Sequence, residues 1–416
     1  MSENALSLSQ ELTWRGFVAE HNFKDLALLD QKTHRFYWGT DPSADSLHIG
    51  HLAALMMCAC FVRHGYTPFF LVGGATGQIG DPKDSGEREL KPLHEIERNK
   101  KALAKQLLRV TGAKANTDIL DNLDWFKDVK FLPFLREIGK SFSLTQLLDR
   151  QFVQARIGAG KSGISFAEFS YTLIQGYDFL YLFRHFGIDL QLCGSDQFGN
   201  CASGIHLIRR LENADAFAYS CPLILDPVTG RKFGKSEGNA VWLDAKKTSI
   251  FDFYQFWLNQ PDSALETFLK YFTTLSPNAL ADVLQTHAQA PSRRFGQHYL
   301  AHAVTTTVHG EDAANSARKL SQLLFDREKT FTFANLSATD LDLLRAAFPC
   351  AKPQAKLLDL LVTLKLASSK SQAKQLLKSG AISLNGQKVF LDDITITTPT
   401  LIKKGKNKFA LVLDKI

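Results

Sequence analysis

The sequence is poor in cysteine and has no cysteine pairing pattern. Its six cysteines (Cys58, Cys60, Cys193, Cys201, Cys221 and Cys350) are spread over 416 residues with no C-x-x-C pair. That excludes a disulfide-built scaffold and a thiolate zinc knuckle, and the expectation is a reduced, cytoplasmic protein. Long hydrophobic runs are missing as well. The longest strictly apolar run is the eleven residues Leu52–Val62, well short of the roughly 18 that a membrane-spanning helix needs. The opening MSENALSLSQELTWRG lacks a basic start followed by an apolar stretch, so neither a secretory signal nor a membrane partner is expected. Arginine and glutamate are absent from Lys352 to Ile416. This stretch holds twelve lysines against four aspartates, a surplus of +8 that exceeds the +7 of the whole chain and leaves the preceding 351 residues at −1. The pattern predicts a nearly neutral body with one small cationic module, not a globally basic surface.

What is present is ordinary for a globular protein: 45% apolar and 22% charged residues, with no internal repeat and no low-complexity tract. The length predicts two to four domains. Arg35–Gly39 reads as a strand, followed by the loop Asp41–Ser46 and a helix from about Leu47 to His64. The apolar run Pro68–Val72 has the character of a strand buried on both faces and leads into the glycine-rich GGATGQIGDP. A helix over about His94–Arg109, a strand over Asp118–Leu120, a helix over Ser165–His185, a strand over Asp189–Cys193, a helix over Gln197–Arg210 and a strand over Cys221–Leu225 complete an α/β alternation. That alternation predicts a doubly wound, Rossmann-like parallel sheet over residues 1–247, with ligands at the carboxyl ends of its strands. Residues 248–325 read as successive amphipathic helices and 326–352 as a linker. Residues 353–416 read as a small α+β module with two glycine turns.

Several clusters could carry chemistry. His48-Ile49-Gly50-His51 opens a helix, where spare N–H groups and the positive dipole end suit a phosphate; zinc is a weaker reading because no third ligand follows at usable spacing. Lys232-Phe233-Gly234-Lys235-Ser236 follows a strand and puts two lysines on a loop able to reach a polyphosphate, although a lone K-x-G-K-S is usually a solvated turn. Gly160-Lys161-Ser162 imitates the end of a P-loop. It fails the pattern because Ala155 stands where the first glycine should be. On the helix SFAEFSYTLIQGYDFLYLF, Tyr171, Gln175 and Asp178 fall at i, i+4 and i+7 and share one face, which points either to solvent or to a polar ligand. Gln191-Leu192-Cys193-Gly194-Ser195-Asp196-Gln197 crosses from a strand end into a helix. There Gly194 admits a ligand to the backbone, and Asp196 serves either as a ribose acceptor or as a helix cap.

Taken together, DPSADSLHIGH, KFGKS, the YTLIQGYD helix and LCGSDQFGN resemble the bacterial tyrosyl-tRNA synthetases, a class I aminoacyl-tRNA synthetase family. The resemblance runs from about Trp14 to the end of the chain. It implies that tyrosine is activated with ATP, accompanied by Mg²⁺ and with no tightly bound cofactor or resident metal, and is then transferred to the 3′ end of tRNA(Tyr). By the resemblance, His48, His51, Lys232, Lys235 and Ser236 hold the catalytic positions, Lys235 foremost on the triphosphate. Asp41, Gly50, Gly194 and Asp196 join them around ATP. Tyr37 and Asp178 fall at the phenolic hydroxyl, Asp81, Tyr171 and Gln175 at the α-ammonium, and Gln191 and Gln197 complete the tyrosine set. Three departures stand out: Trp38 where a smaller residue is common beside the nucleotide, a loop around Lys83 and Arg88 one residue shorter than the family form, and Phe198 in place of tryptophan. The tail resembles an S4-type RNA-binding domain, with Lys370, Lys374 and Lys378 at i, i+4 and i+8 as a phosphate-facing ridge. The family is homodimeric, and residues 127–163 are the expected contact. The competing readings are an RNA-binding descendant of a synthetase without aminoacylation activity, and an enzyme specific for tryptophan.

Overall fold

The computed structural model describes residues 6–81, 91–148, 151–158, 161, 163–233, 240–325 and 331–413. Lys83 and Arg88, Gly160 and Ser162, and Gly234, Lys235 and Ser236 lie outside these. Contacts group the chain into two units, residues 1–247 with 260–296, and residues 248–259 with 297–416.

The first unit is built on a five-stranded parallel sheet of β1 (Arg35–Thr40), β2 (Thr67–Val72), β3 (Ile119–Leu120), β4 (Leu190–Gly194) and β5 (Phe217–Cys221), in the order β3-β2-β1-β4-β5. Tyr37 of β1 pairs with Phe69 on one side and Gln191 on the other. The chain therefore winds outward in one direction through β2 and β3 and then reverses through β4 and β5. The reversal opens a crevice between the carboxyl ends of β1 and β4, the place where such sheets bind ligands. The last strand differs from expectation. It spans Phe217–Cys221 and pairs from Leu190↔Phe217 to Gly194↔Cys221, whereas the apolar run Cys221–Leu225 invited a strand there. Pro222 has no N–H to give a ladder and ends the strand; Leu225 beyond it is 52% exposed.

The helix Ile49–Arg63 is apolar all round and buries eleven of its fifteen residues, from Ile49 through Phe61, as a helix without a polar face must. Its far end is clamped to the helix Leu8–Arg15. Glu11 accepts from Arg15 at 2.7 Å, Arg63 at 2.6 Å and His64 at 2.7 Å. Burial opposes its charge, but these three partners hold its carboxyl down at about 2. Arg15 in turn donates to the carbonyls of Lys270, Thr273 and Leu275, satisfying the carboxyl end of the helix Asp262–Phe272. The helix Phe166–Phe186 begins with a reciprocal Ser165/Glu168 capping box and stops at Gly187, whose φ of 61° is left-handed.

In the second unit, the helices Ile250–Leu258 and Glu311–Phe325 pack together with the segment 331–350 and the carboxyl-terminal strands. Phe251, Leu320 and Leu344 share a core with Leu401, Phe409 and Leu411. The segment read as a linker contains the helix Ala338–Ala347 and a strand pair, Cys350–Ala351 on Leu411–Val412. Two hairpins follow the sequence signals. Asn385-Gly386, with φ of 48° and 87°, turns the first as a pair of left-handed residues does. Gly405, at φ 57°, opens the turn between Thr400–Lys404 and Lys408–Val412. Among the described residues, no helix is long and apolar enough to cross a membrane.

Candidate active site

A cavity of about 800 Å³ fills the crevice at the strand reversal. Every described crevice residue singled out in the sequence lines it: Tyr37, Asp41, His48, Gly50, His51, Asp81, Tyr171, Gln175, Asp178, Gln191, Gly194, Asp196, Gln197 and Lys232. The three polar residues of the Phe166–Phe186 helix therefore face a cavity and not bulk solvent. Trp38, 4% exposed, is part of the wall.

One end of the cavity is polar, buried and short of partners. The Tyr37 hydroxyl, Gln175 Oε1 and Gln191 Oε1 are buried with no hydrogen-bond partner among the described residues, a costly condition that a polar ligand relieves. Burial also drives the Tyr37 hydroxyl well above the ordinary tyrosine range, so it stays protonated and able to donate or accept. Asp178, 1% exposed, accepts from Asn122 Nδ2 at 3.0 Å and Trp125 Nε1 at 2.9 Å. Burial pushes its carboxyl up to about 8, with those two donors pulling the other way. Tyr171 donates to Asp41 Oδ2 at 3.1 Å, and Gln197 Nε2 donates to Asp81 Oδ2 at 3.0 Å.

Asn122 and Trp125 were not visible in the sequence reading. Asn122 also donates to Thr76 Oγ1 and accepts from the Ala75 N–H at 2.7 Å. It thus ties the loop after β2 to Asp178. Neighbouring Asp121 accepts from Gly74 N–H at 2.8 Å and is ion-paired with Lys100. A side chain at Gly74 would reach 2.3 Å from an Asp121 oxygen, so glycine is required at that crossing. Both Asn122 and Trp125 lie just past the carboxyl end of β3, and the rule that ligands gather at strand ends was the available signal.

At the other end, His48 is the N-cap of the Ile49–Arg63 helix and His51 is its third residue; their ring centroids are 4.0 Å apart. The sequence suggested N–H groups free for an anion at this helix start. They are engaged: Ile49 N–H bonds Val241 O, Gly50 N–H bonds His48 Nδ1 at 3.1 Å, and His51 N–H bonds His48 O. The backbone N–H of His48 in turn donates to His51 Nδ1 at 3.3 Å. With both Nδ1 atoms accepting, each neutral ring carries its proton on Nε2. Burial lowers His48 to about 4 and His51 to about 3, so both are neutral at physiological pH. Lys232 borders the same end, and the carbonyl of Phe233 would stand 2.5 Å from a Cβ at Gly50. Only glycine lets this loop close on the helix start. No group of three His, Cys, Asp or Glu side chains among the described residues is placed to hold a metal ion.

A crevice at the point where the strand order of a Rossmann-like parallel sheet reverses is the ligand-binding place of such folds. Residues 29–326 match the family of class I tRNA synthetases (W and Y), and residues 345–412 match the tyrosine–tRNA ligase SYY-like C-terminal domain. The tyrosine–tRNA ligase of Limosilactobacillus fermentum is 40% identical over 422 residues, covering 98% of this chain and 99% of the relative. That of Bacteroides fragilis is 38% identical over 435 residues, covering 99% and 100%. A C-terminally truncated mitochondrial tyrosyl-tRNA synthetase from Coccidioides posadasii superposes with a TM-score of 0.67 at 30% identity, covering 76% of this chain and 92% of that one. The chain belongs to the tyrosine–tRNA ligases of the class I tRNA synthetases.

Proposed function

We propose that the chain activates L-tyrosine with ATP, forming tyrosyl-adenylate and pyrophosphate, and passes the tyrosyl group to the 3′ end of tRNA(Tyr). The observation that carries this reading is the set of buried polar atoms without partners among the described residues, Tyr37 Oη, Gln175 Oε1 and Gln191 Oε1, beside Asp178. A bound tyrosine satisfies them. Its phenolic hydroxyl lies between Tyr37 and Asp178, and its ammonium faces Asp81, Tyr171 and Gln175, with Gln191 and Gln197 completing the pocket. Phenylalanine would leave Asp178 and Tyr37 unsatisfied, and tyrosine-activating enzymes are the standing illustration of this kind of rejection.

The tyrosine carboxylate attacks the α-phosphorus of ATP and pyrophosphate leaves. The protein's part is positioning and charge stabilisation. His48 and His51 offer Nε2–H donors to phosphate oxygens. Being neutral, they contribute hydrogen bonds while the positive charge comes from Lys232 and Lys235, with Ser236 on the same loop. Asp41, Gly50, Gly194 and Asp196 border the adenosine portion, and Mg²⁺ travels with the phosphates. Residues 1–247 act as the catalytic body, 248–325 as a helical region at the anticodon side, 326–352 as the connection and 353–416 as the tRNA-binding module through Lys370, Lys374 and Lys378. A second copy covers the 127–163 region, where Phe131, Leu132 and Leu144 are 64%, 74% and 63% exposed. The working compartment is the cytoplasm.

The decisive measurement is exchange of labelled pyrophosphate into ATP. Exchange that depends on tyrosine, and that neither tryptophan nor phenylalanine supports at the same concentration, is expected. A folded sample with Mg²⁺ and no exchange would overturn the reading.

A further inference from the structure

The carboxyl-terminal module buries apolar side chains in two cores, one around Leu357, Leu361, Leu377, Ile382 and Ile402 and one that Leu401, Phe409 and Leu411 share with Phe251; among its described residues, two large apolar side chains stay exposed, Phe390 at 59% and Leu391 at 72%. The exposed ring is nevertheless held in place. A Cβ on Gly380 would meet Phe390 Cε1 at 2.9 Å and Cζ at 3.2 Å, so the ring rests directly on that glycine, whose φ of +64° is left-handed. The chain is pinned on both sides of the ring. Val389 N–H bonds Ile382 O at 3.1 Å, and Asp392 pairs with Lys374 of the helix Lys370–Lys378 at 3.2 Å.

The surroundings are cationic. Lys378 ends that helix, and the Lys388 stem lies 3.8 Å from the same point above Gly380. The lysine-bearing turn 404–408 is joined to the adjacent residue, since Gly405 N–H bonds Ala381 O at 2.8 Å. The nearby acids are already engaged, Asp392 by Lys374 and Asp393 by Lys356. Lysine is depleted from protein–protein interface cores, and two apolar side chains are too few for a docking patch. An aromatic platform flanked by lysines is instead the usual way to bind unpaired nucleotides, with stacking on the ring and phosphates on the cations.

We propose that Phe390, extended by Leu391, is a stacking platform for one unpaired base of bound RNA, with Lys378 and Lys388 holding the adjoining phosphates. This rests on the reading of residues 353–416 as a tRNA-binding module. The test uses the full-length protein and a tyrosine tRNA transcript, with affinity measured across a salt series for wild type, Phe390→Ala, Phe390→Trp and Lys378→Ala. Phe390→Ala is expected to weaken binding about 5- to 50-fold without changing the slope of log affinity against log salt. Phe390→Trp should restore affinity and, when RNA is added, lose more indole fluorescence than the wild type with its five native tryptophans, a signature that a merely structural residue would not give. Lys378→Ala should lower the slope by about one. Wild-type affinity in Phe390→Ala beside a lowered slope in Lys378→Ala overturns the platform and leaves the RNA reading standing. Equal losses in the Ala and Trp variants overturn the platform in favour of a packing role. An altered oligomeric state with unaltered RNA affinity overturns it in favour of a protein contact. If neither substitution changes binding, the RNA reading of the module falls and the platform with it.

Discussion

The crevice and the carboxyl-terminal module solve recognition in opposite ways. In the crevice, a few polar groups are buried at high cost and left short of partners, as with Tyr37 Oη and Gln191 Oε1. In the module, lysines are exposed and several are already paired: Lys370 with Asp359 at 2.5 Å, Lys374 with Asp392 at 3.2 Å and Lys356 with Asp393 at 3.0 Å. Exposed pairs of this kind contribute little, because solvent screens them, so a phosphate can take over the lysine at little cost. Burial therefore concentrates specificity in single residues, and exposure spreads affinity over many. One substitution should cripple the first region, while the second should yield only to several at once and respond to salt.

The largest effect is expected from Asp178→Asn. The new amide must turn its NH₂ towards either Asn122 Nδ2 or Trp125 Nε1, both of which donate to the carboxylate, so one donor faces another. We expect kcat/KM for tyrosine to fall about 10²-fold or more and the preference over phenylalanine to narrow, in line with the cost of leaving a buried donor without an acceptor. Side-by-side exchange assays with the two amino acids check this, and unchanged discrimination would remove Asp178 from the hydroxyl site. A smaller effect is expected in the tail. Replacing Lys378, Lys388, Lys406 and Lys408 together by alanine should weaken tRNA binding about 10- to 100-fold at moderate salt and flatten its salt dependence, while tyrosine-dependent exchange keeps its rate. Substitution is a cleaner test than deletion. Removing residues 352–416 would strip Leu401, Phe409 and Leu411 from the core they share with Phe251 and Leu320.

The same contrast explains what the sequence made legible. The sheet, the buried helix after β1 and the polar face of Tyr171, Gln175 and Asp178 could be read because local periodicity is set by burial, and the tail's charge because it needs only counting. The parts that could not be read depend on distant partners. The last strand was misplaced by a few residues: Pro222 marks its end locally, but pairing with β4 is what fixes Phe217–Cys221 as the strand. Asn122 and Trp125 escaped notice because the group they serve lies 56 and 53 residues away. The histidines were read correctly as belonging to a helix start, but their ring nitrogens cap that start. No motif spacing encodes this; it follows only once His48 takes the cap position.

The smallest expected effect sharpens the comparison from the crevice side. Because burial holds His48 at about 4 and His51 at about 3, neither ring changes charge between pH 6 and 8. The KM for ATP in the exchange reaction should therefore vary by less than about twofold over that range. Histidines titrating near their ordinary value of about 6.5 would instead give a clear inflection. Stability carries the complementary sign. A histidine kept neutral in the fold but free to take a proton when unfolded contributes fully above pH 6.5, and that contribution is lost as pH falls from 6.5 towards 4. His48→Asn, which retains a side-chain acceptor for the Gly50 N–H, should reduce this acid sensitivity of the unfolding midpoint. An ATP KM that inflects near pH 6.5 would mean that the rings act as cations. The crevice would then bind phosphate by charge, as the lysine module does, and the distinction between the two regions would fail.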